Sequence, residues 1–172
     1  MPKGTSTRGD IRNELHRSQA NYFNNIADSM AMLEEGPVLL TDAATTLTLA
    51  AHGGKTCVIP NVSADRVFTL PTPTAVGQYI HLIGTPGAAD GHDVSVATGS
   101  DNTVYYTGGI IHHDTDNTGQ TSATVFADGD STSLMKLDLP EAYDLNFLAS
   151  STTNWYIWGW SAGATPITIA DQ

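Results

Sequence analysis

The sequence predicts a mainly β protein, with a β-sandwich body of the jelly-roll type and a single α-helix at its N-terminus. From Val38 onward, apolar and polar residues alternate with a period of two, and turn residues recur every ~8–12 positions. Before Gly36 and Pro37, the apolar residues instead recur every three or four positions, which indicates a helix. The change of period at this Gly-Pro pair marks the boundary between the two parts.

The N-terminal part, residues 1–36, is predicted to be a polar arm followed by an amphipathic helix that begins near Asp10. Gly36 and Pro37 end the helix, because proline disfavours helical backbone in the residue before it. A helix with one apolar stripe needs a surface that covers the stripe, and the body, another copy or a larger partner could each supply it. The stripe consists of Ile11, Leu15, Tyr22, Ile26, Met30 and Leu33.

The body, residues 37–163, is predicted to contain ten short strands. The tail, residues 164–172, has one further strand-like stretch at Ile167–Ile169, which could pack against a neighbouring subunit. No internal repeat of fixed period marks the chain. The predicted strands are Thr46–Ala50, Lys55–Ile59, Arg66–Leu70, Gln78–Ile83, Asp93–Ala97, Thr103–Ile111, Ala123–Ala127, Ser133–Leu139, Asp144–Ala149 and Trp155–Trp160.

Charge is distributed unevenly along the 172 residues, whose net charge is −11. Four of the seven basic residues, Lys3, Arg8, Arg12 and Arg17, lie in the arm and early helix, whereas the body has a net charge near −10. An acidic body repels phosphate, so we expect no binding of nucleic acid. No apolar stretch reaches the length of a membrane span, and the N-terminus lacks an apolar signal core, so we expect synthesis in a cytosol and no membrane partner.

One polar loop has a spacing that suits a metal ion. His112 and His113 precede Asp114 and Asp116, and oxygen ligands at alternate positions can converge on a hard cation such as Ca²⁺. The distal bidentate Glu of a full calcium loop is missing at its expected place. We therefore expect no cofactor and no metal, and keep these four residues as metal-ligand candidates beside the simpler interpretation of a solvated turn.

The residues favour a protein without enzymatic activity. No Gly-x-Ser-x-Gly motif marks a nucleophile, although Ser, His and Asp are all present. Asp128 and Asp130 could flank a sugar for hydrolysis, but a chain of this length encloses little of the groove that a polysaccharide depolymerase needs.

Three segments resemble a β module that is common in the virion proteins of tailed bacteriophages. They are Val62–Pro71, Gly77–Gly84 and Thr153–Gly159. In that module a Thr-Leu-Pro strand end is followed by a turn and a second strand, and a Thr-Asn-Trp-Tyr strand closes the sheet. The resemblance covers roughly residues 55–160 and extends to head decoration (cement) proteins as well as tail-fibre and spike modules. It implies a virion component, commonly a trimer.

We therefore expect a capsid decoration protein, made in the host cytoplasm and located on the capsid surface. Its partners are the major capsid protein and further copies of itself in a homotrimer. The basic residues Lys3, Arg8, Arg12 and Arg17 would hold the arm against an acidic capsid surface. Apolar burial in the same contact would come from Ile11, Leu15, Tyr22, Ile26 and Met30.

A tail-fibre or receptor-binding module is the alternative. In that case the same sandwich presents exposed aromatic side chains to a host glycan, with Tyr79, Tyr105, Tyr106 and Trp158 as candidates. The sequence also leaves open whether the helix contacts the capsid or bundles with its trimer mates.

Overall fold

The computed structural model describes residues 36–84, 91–100, 102–116 and 121–172. The chain divides into two compact units, Met1–Gly36 and Pro37–Gln172, and the described residues belong almost entirely to the second. The predicted N-terminal helix lies outside the described residues. So do all nine residues assigned to anchoring, namely Lys3, Arg8, Ile11, Arg12, Leu15, Arg17, Tyr22, Ile26 and Met30.

The described part of the chain is mainly β, as the sequence predicts, with 51% of its residues in strands and 3% in helix. No helix in it is long and apolar enough to cross a membrane. Its elements are β1 (Val38–Leu39), β2 (Thr45–Thr46), α1 (Leu49–His52), β3 (Thr56–Ile59), β4 (Arg66–Thr69), β5 (Tyr79–Gly84), β6 (Val94–Ala97), β7 (Tyr105–Asp114), β8 (Ser122–Asp128), β9 (Leu134–Leu137), β10 (Ala142–Ala149), β11 (Asn154–Gly163) and β12 (Thr168–Ala170).

These strands form two mixed sheets. The larger has the order β1-β3-β5-β10-β11-β7-β8, and the smaller has the order β12-β9-β6-β4-β2. Within the described residues five of the ten strand pairings are parallel and five are antiparallel. The expected jelly roll is therefore not confirmed, because that arrangement is built from antiparallel Greek keys.

The first six strands alternate between the two sheets. β1, β3 and β5 are parallel neighbours in the larger sheet, and β2, β4 and β6 are parallel neighbours in the smaller one. The chain therefore winds around the core in successive coils, which is the connectivity of a short solenoid. The coils begin at Val38, Thr56 and Tyr79, and this uneven spacing explains why no fixed sequence period marks them.

Both sheets contribute side chains to a single core. Strands β3, β5 and β10 alternate between buried and less buried positions, as expected for strands with one face on a core. The largest fully buried side chains are Trp155, Tyr106, Tyr143, Phe68, Phe147, Leu47, Ile59, Leu70, Ile80, Leu82, Ile110 and Met135. At ~25 cal/mol per Å² of buried apolar surface, these side chains are the main source of stability.

Nine of the ten predicted strands are confirmed within a few residues, and Thr46–Ala50 is wrong over most of its length. Only Thr45–Thr46 is a strand there, and Leu49–His52 forms the helical turn α1. The Thr48 hydroxyl caps this turn by accepting a hydrogen bond from the Ala51 N–H at 3.3 Å. The local alternation of Thr, Leu and Ala resembled a strand, but the cap and the two alanines favour helix.

The C-terminal tail belongs to the smaller sheet of its own subunit. β12 pairs antiparallel with β9, and Ile169 lies opposite Met135. Ile167 is buried, and the Gln172 side chain donates hydrogen bonds to Thr98 and Ser133. These contacts account for the strand-like stretch at Ile167–Ile169 without a neighbouring subunit.

An ion pair fixes the first coil to the next strands. The Arg66 Nε donates to Asp42 Oδ1 at 2.8 Å, and the backbone N–H and hydroxyl of Ser63 donate to Asp42 Oδ2 at 3.1 and 2.6 Å. These hydrogen bonds, with Arg66 first, lower the pKa of Asp42 to about 2. Arg66 is therefore paired with a carboxylate of the body and adds little free positive charge to it.

Gly159 lets β11 pass close to β10. Its φ is +137° and its partner across the strands is Leu145. A Cβ atom at this position would overlap the carbonyl oxygen of Asp144. Glycine is therefore required here both by the backbone conformation and by the close approach.

We predict that Gly159→Ala lowers the free energy of unfolding by about 2–4 kcal/mol, since it adds backbone strain and a steric overlap. Gly91→Ala is the matched control, because nothing lies within 4 Å of a Cβ there. Urea unfolding of both variants measures the difference. Equal stability of the two variants would contradict the assigned β10–β11 geometry.

Candidate binding face on the seven-stranded sheet

Exposed apolar side chains concentrate on the outer face of the larger sheet. Of the nine large hydrophobic residues that are exposed in the described part, six belong to strands of this sheet. They are Leu39, Ile111, Phe126, Tyr156, Trp158 and Trp160. Soluble monomers rarely expose a large contiguous apolar surface without a binding role.

Strand β11 supplies the centre of this face. Trp155 and Ile157 are fully buried in the core, whereas Tyr156, Trp158 and Trp160 point outward and are 46%, 38% and 39% exposed. This confirms the alternation expected for the strand. Because β11 lies between β10 and β7, its outward side chains meet those of both neighbours.

Four aromatic residues make up what we call the aromatic face: Tyr79, Tyr156, Trp158 and Trp160. The Trp158 ring centroid lies 6.0 Å from that of Tyr79 and 5.9 Å from that of Tyr156, with interplanar angles of 27° and 35°. Aromatic rings at such distances stabilise one another. The Trp160 ring lies 6.3 Å from the His113 ring at an angle of 58°.

A chain of hydrogen bonds orders the polar residues beside these rings. The Thr56 hydroxyl lies 2.9 Å from His81 Nδ1, and His81 Nε2 lies 2.9 Å from Asp144 Oδ1. The Asn146 amide donates to the same Asp144 oxygen at 2.9 Å, and the Tyr79 hydroxyl donates to Asn146 Oδ1. Burial, followed by the nearby Asp144 charge, raises the pKa of Tyr79.

Asp144 lies beside the two exposed indoles. It pairs across the strands with Trp160, and Asn146 pairs with Trp158. Its side chain is 38% exposed, and both hydrogen bonds from His81 and Asn146 reach Oδ1. Among the described residues no donor reaches Oδ2. The hydrogen bonds to Oδ1 therefore fix the orientation of the carboxylate, and Oδ2 remains available to a ligand.

The order Thr56–His81–Asp144 is that of a hydroxyl, an imidazole and a carboxylate, as in hydrolytic triads. A triad also needs N–H donors for the oxyanion. Thr56 and His81 lie on β3 and β5, each of which has strand neighbours on both sides. Their backbone N–H groups face those ladders, so neither is directed at the outer face as an oxyanion donor, and the network orders Asp144.

The structure separates the four metal-ligand candidates. His112 points into the core and is 2% exposed, whereas His113 points outward and lies 2.8 Å from the Ser122 hydroxyl. Asp114 accepts hydrogen bonds from the Asp116 N–H at 3.0 Å and the Thr121 hydroxyl at 3.3 Å. No group of three His, Cys, Asp or Glu side chains in the described residues is placed to hold a metal ion.

Asp128 orders the loop between β8 and β9. Its Oδ1 accepts the backbone N–H groups of Asp130, Ser131 and Thr132 at 3.2, 3.1 and 3.0 Å, and its Oδ2 accepts the Ser131 hydroxyl. These contacts, with the Ser131 side chain first, hold the pKa of Asp128 far below its usual range. Asp128 is thus engaged in loop structure, which is a different arrangement from a carboxylate pair around a sugar.

Sequence reasoning identified part of the aromatic face. Trp158 is exposed and Tyr79 is half-buried, but Tyr106 is wrong, because it is fully buried and donates its hydroxyl to the Val96 carbonyl at 3.0 Å. Asp144 and Asn146 were missed as site residues. Only the register of β5, β10 and β11 brings them beside the rings, and no local motif encodes that register.

Comparison with protein-family models and with curated proteins finds no match to this chain.

His112 is a buried imidazole. Its Nδ1 lies 3.0 Å from the Ser161 hydroxyl, and its Nε2 has no hydrogen-bond partner in the part of the chain that the structure describes. Burial lowers its pKa from the ordinary value of 6.5. The Gly163 backbone and the Asp114 charge act in the opposite direction, but burial outweighs them, so protonation of the folded state is disfavoured.

We predict that stability falls as the pH drops below 6.5, the ordinary pKa of His112. Below that pH the unfolded chain takes up a proton that the folded state resists, so the slope contributed by one residue approaches at most about 1.4 kcal/mol per pH unit. Urea unfolding between pH 5 and 7 measures the slope. His112→Gln should flatten it, whereas His113→Gln retains His112 and should keep it. An unchanged slope in His112→Gln would show that other groups cause it.

Proposed function

We propose that the chain is a non-enzymatic virion protein that decorates the outer surface of a bacteriophage capsid and stabilises the shell. In this proposal the body is a β-sandwich that associates as a homotrimer, and the N-terminal arm and helix attach it to the major capsid protein. The outer face of the seven-stranded sheet is a second contact with the protein lattice.

One observation supports this proposal above the others: β11, an interior strand of the larger sheet, is apolar on both sides. Its inward side chains fill the core, and Tyr156, Trp158 and Trp160 remain exposed. Trp and Tyr are enriched at the centres of protein interfaces, where they contribute much of the binding energy. An outer face with these residues is suited to contact with another macromolecule.

The mechanism is mechanical. A protein that bridges neighbouring capsid subunits adds interface that must be broken before internal pressure can open the shell. Several modest contacts per trimer act together, because the second and third contacts form at a high effective concentration. The strongly acidic body limits association between decorated particles.

The second candidate function is recognition of a host-surface glycan by a tail-fibre module. It is favoured by the neighbouring rings of Tyr79, Tyr156 and Trp158, since aromatic faces stack on apolar surfaces of ligands. Location distinguishes the two candidates. Quantitative gel analysis of purified virions should find hundreds of copies for a decoration protein and only a handful for a tail protein.

We predict that removing residues 1–36 abolishes binding to capsids, since the arm and helix are the proposed attachment. The remaining unit, Pro37–Gln172, contains the whole described core, so circular dichroism should show that it still folds. Cosedimentation with undecorated capsids measures binding. A truncated chain that still coats capsids as the full chain does would falsify the assigned role of the arm.

A further inference from the structure

We propose that the aromatic face binds an arginine-bearing segment of a partner protein. The guanidinium group lies over the exposed Trp158 and Trp160 rings and donates hydrogen bonds to Asp144 Oδ2. This inference rests on the proposed function, because it specifies the chemistry of the lattice contact on the outer face of the larger sheet.

Charge complementarity is the first argument. None of the seven strands of the larger sheet contains Lys or Arg, whereas Asp144 contributes a carboxylate to its outer face. Two of the three basic residues of the body are paired with carboxylates outside this sheet, Arg66 with Asp42 and Lys136 with Asp93. A cation that approaches this face therefore meets negative charge and no Lys or Arg on the strands.

The rings are the second argument. The faces of aromatic rings attract cations, and Trp does so most strongly. Trp158 and Trp160 are separated by one residue on β11, and Asp144 and Asn146 on β10 lie directly opposite them. The carboxylate and the two indoles thus border one small area of the sheet, where a cation can contact all three groups.

The orientation of Asp144 is the third argument. His81 and Asn146 both hold Oδ1, and His81 is itself held by the Thr56 hydroxyl. Oδ2 is therefore fixed before a ligand arrives, which reduces the entropy lost on binding. An ordered carboxylate is a strong acceptor for a charged donor.

These groups favour arginine over lysine or a neutral sugar. A guanidinium is planar, stacks on indole and phenol rings, and donates several hydrogen bonds in its plane, whereas an ammonium is compact and more strongly hydrated. A sugar relies on donors as well as acceptors, and Tyr79 and His81 already use their donor groups within the network, which leaves fewer donors on this face, the N–H groups of the exposed indoles among them. Guanidinium needs only the acceptor that Asp144 provides.

The test uses a short Gly/Ser peptide with two arginines and a matched peptide in which citrulline, a neutral analogue, replaces both. Of the three Trp residues in the chain, Trp155 is buried and Trp158 and Trp160 are exposed. Titration of the ¹⁵N-labelled full chain should shift the indole N–H signals of Trp158 and Trp160 but not that of Trp155. The citrulline peptide should bind at least tenfold more weakly, and added salt should weaken the binding of the arginine peptide.

Two variants localise the effect. Asp144→Asn retains acceptors for His81 and Asn146 but removes the charge, and we expect about a tenfold loss of affinity for the arginine peptide. Trp158→Leu should weaken binding even if Asp144→Asn perturbs the fold. Val67→Ala is the matched control, because this exposed side chain lies on β4 in the smaller sheet, and should leave the affinity unchanged.

Several outcomes would overturn the proposal. If the citrulline peptide bound as tightly as the arginine peptide, the positive charge of the ligand would play no part in binding. Indole shifts produced by a neutral oligosaccharide such as maltotetraose or chitotetraose, without shifts from the arginine peptide, would assign the face to glycans. Dissociation of the oligomer by Asp144→Asn or Trp158→Leu would show that another copy of the chain covers the face. If no indole signal shifts, the aromatic face does not bind the arginine peptide and the proposal is wrong.

Failure of this inference can be distinguished from failure of the proposed function. Capsids can be coated with full-length Asp144→Asn in the same cosedimentation assay. If the peptide does not bind and the variant still coats capsids as the wild type does, the arginine contact is wrong and decoration stands. If neither the wild type nor the Asp144→Asn variant coats capsids, the decoration proposal itself fails.

Discussion

The structure depends on the position of β11 between β10 and β7. Its inward residues Trp155 and Ile157 contribute to the core, and its outward residues form most of the aromatic face. Since side chains alternate along a strand, these two roles are linked through one backbone. A shift of one residue in register would expose the core side chains and bury the aromatic face. Gly159 permits the close pairing with β10 that fixes this register.

Local sequence patterns predicted the strands well and the topology poorly. Alternation in Tyr79–Gly84 and Ala142–Ala149 follows directly from burial of one face, so the pattern is visible in the sequence. Which strands pair, and in which direction, is decided by contacts between residues far apart in the chain. The parallel pairing of β3 with β5 therefore has no local signature, and the coiled connectivity of the first six strands could not be inferred. The helical turn at Leu49–His52 is a different case, because its signals, the Thr48 cap and the two alanines, are local and were outweighed by the alternation of Thr, Leu and Ala.

The candidate site shows the same division between local and distant information. The exposure of Trp158 followed from alternation alone, but the position of Asp144 beside Trp160 follows from a register between two strands. His112 and His113 illustrate the opposite case, since adjacent residues in a strand point to opposite faces and cannot share one ion. Three of the four metal-ligand candidates lie in a strand and not in the predicted loop, because β7 extends to Asp114.

Segregation of charge connects the fold to the proposed function. Arg66 and Lys136 are each held by a carboxylate of the body, so their positive charge is largely compensated within the fold. The arm, by contrast, has four basic residues in its first 17 positions. The chain can thus present a basic segment and an acidic aromatic surface to the same assembly, and each would select a patch of opposite charge. Two contacts of opposite sign restrict the orientations in which the protein can bind more than one contact would, because a rotated molecule places like charges together.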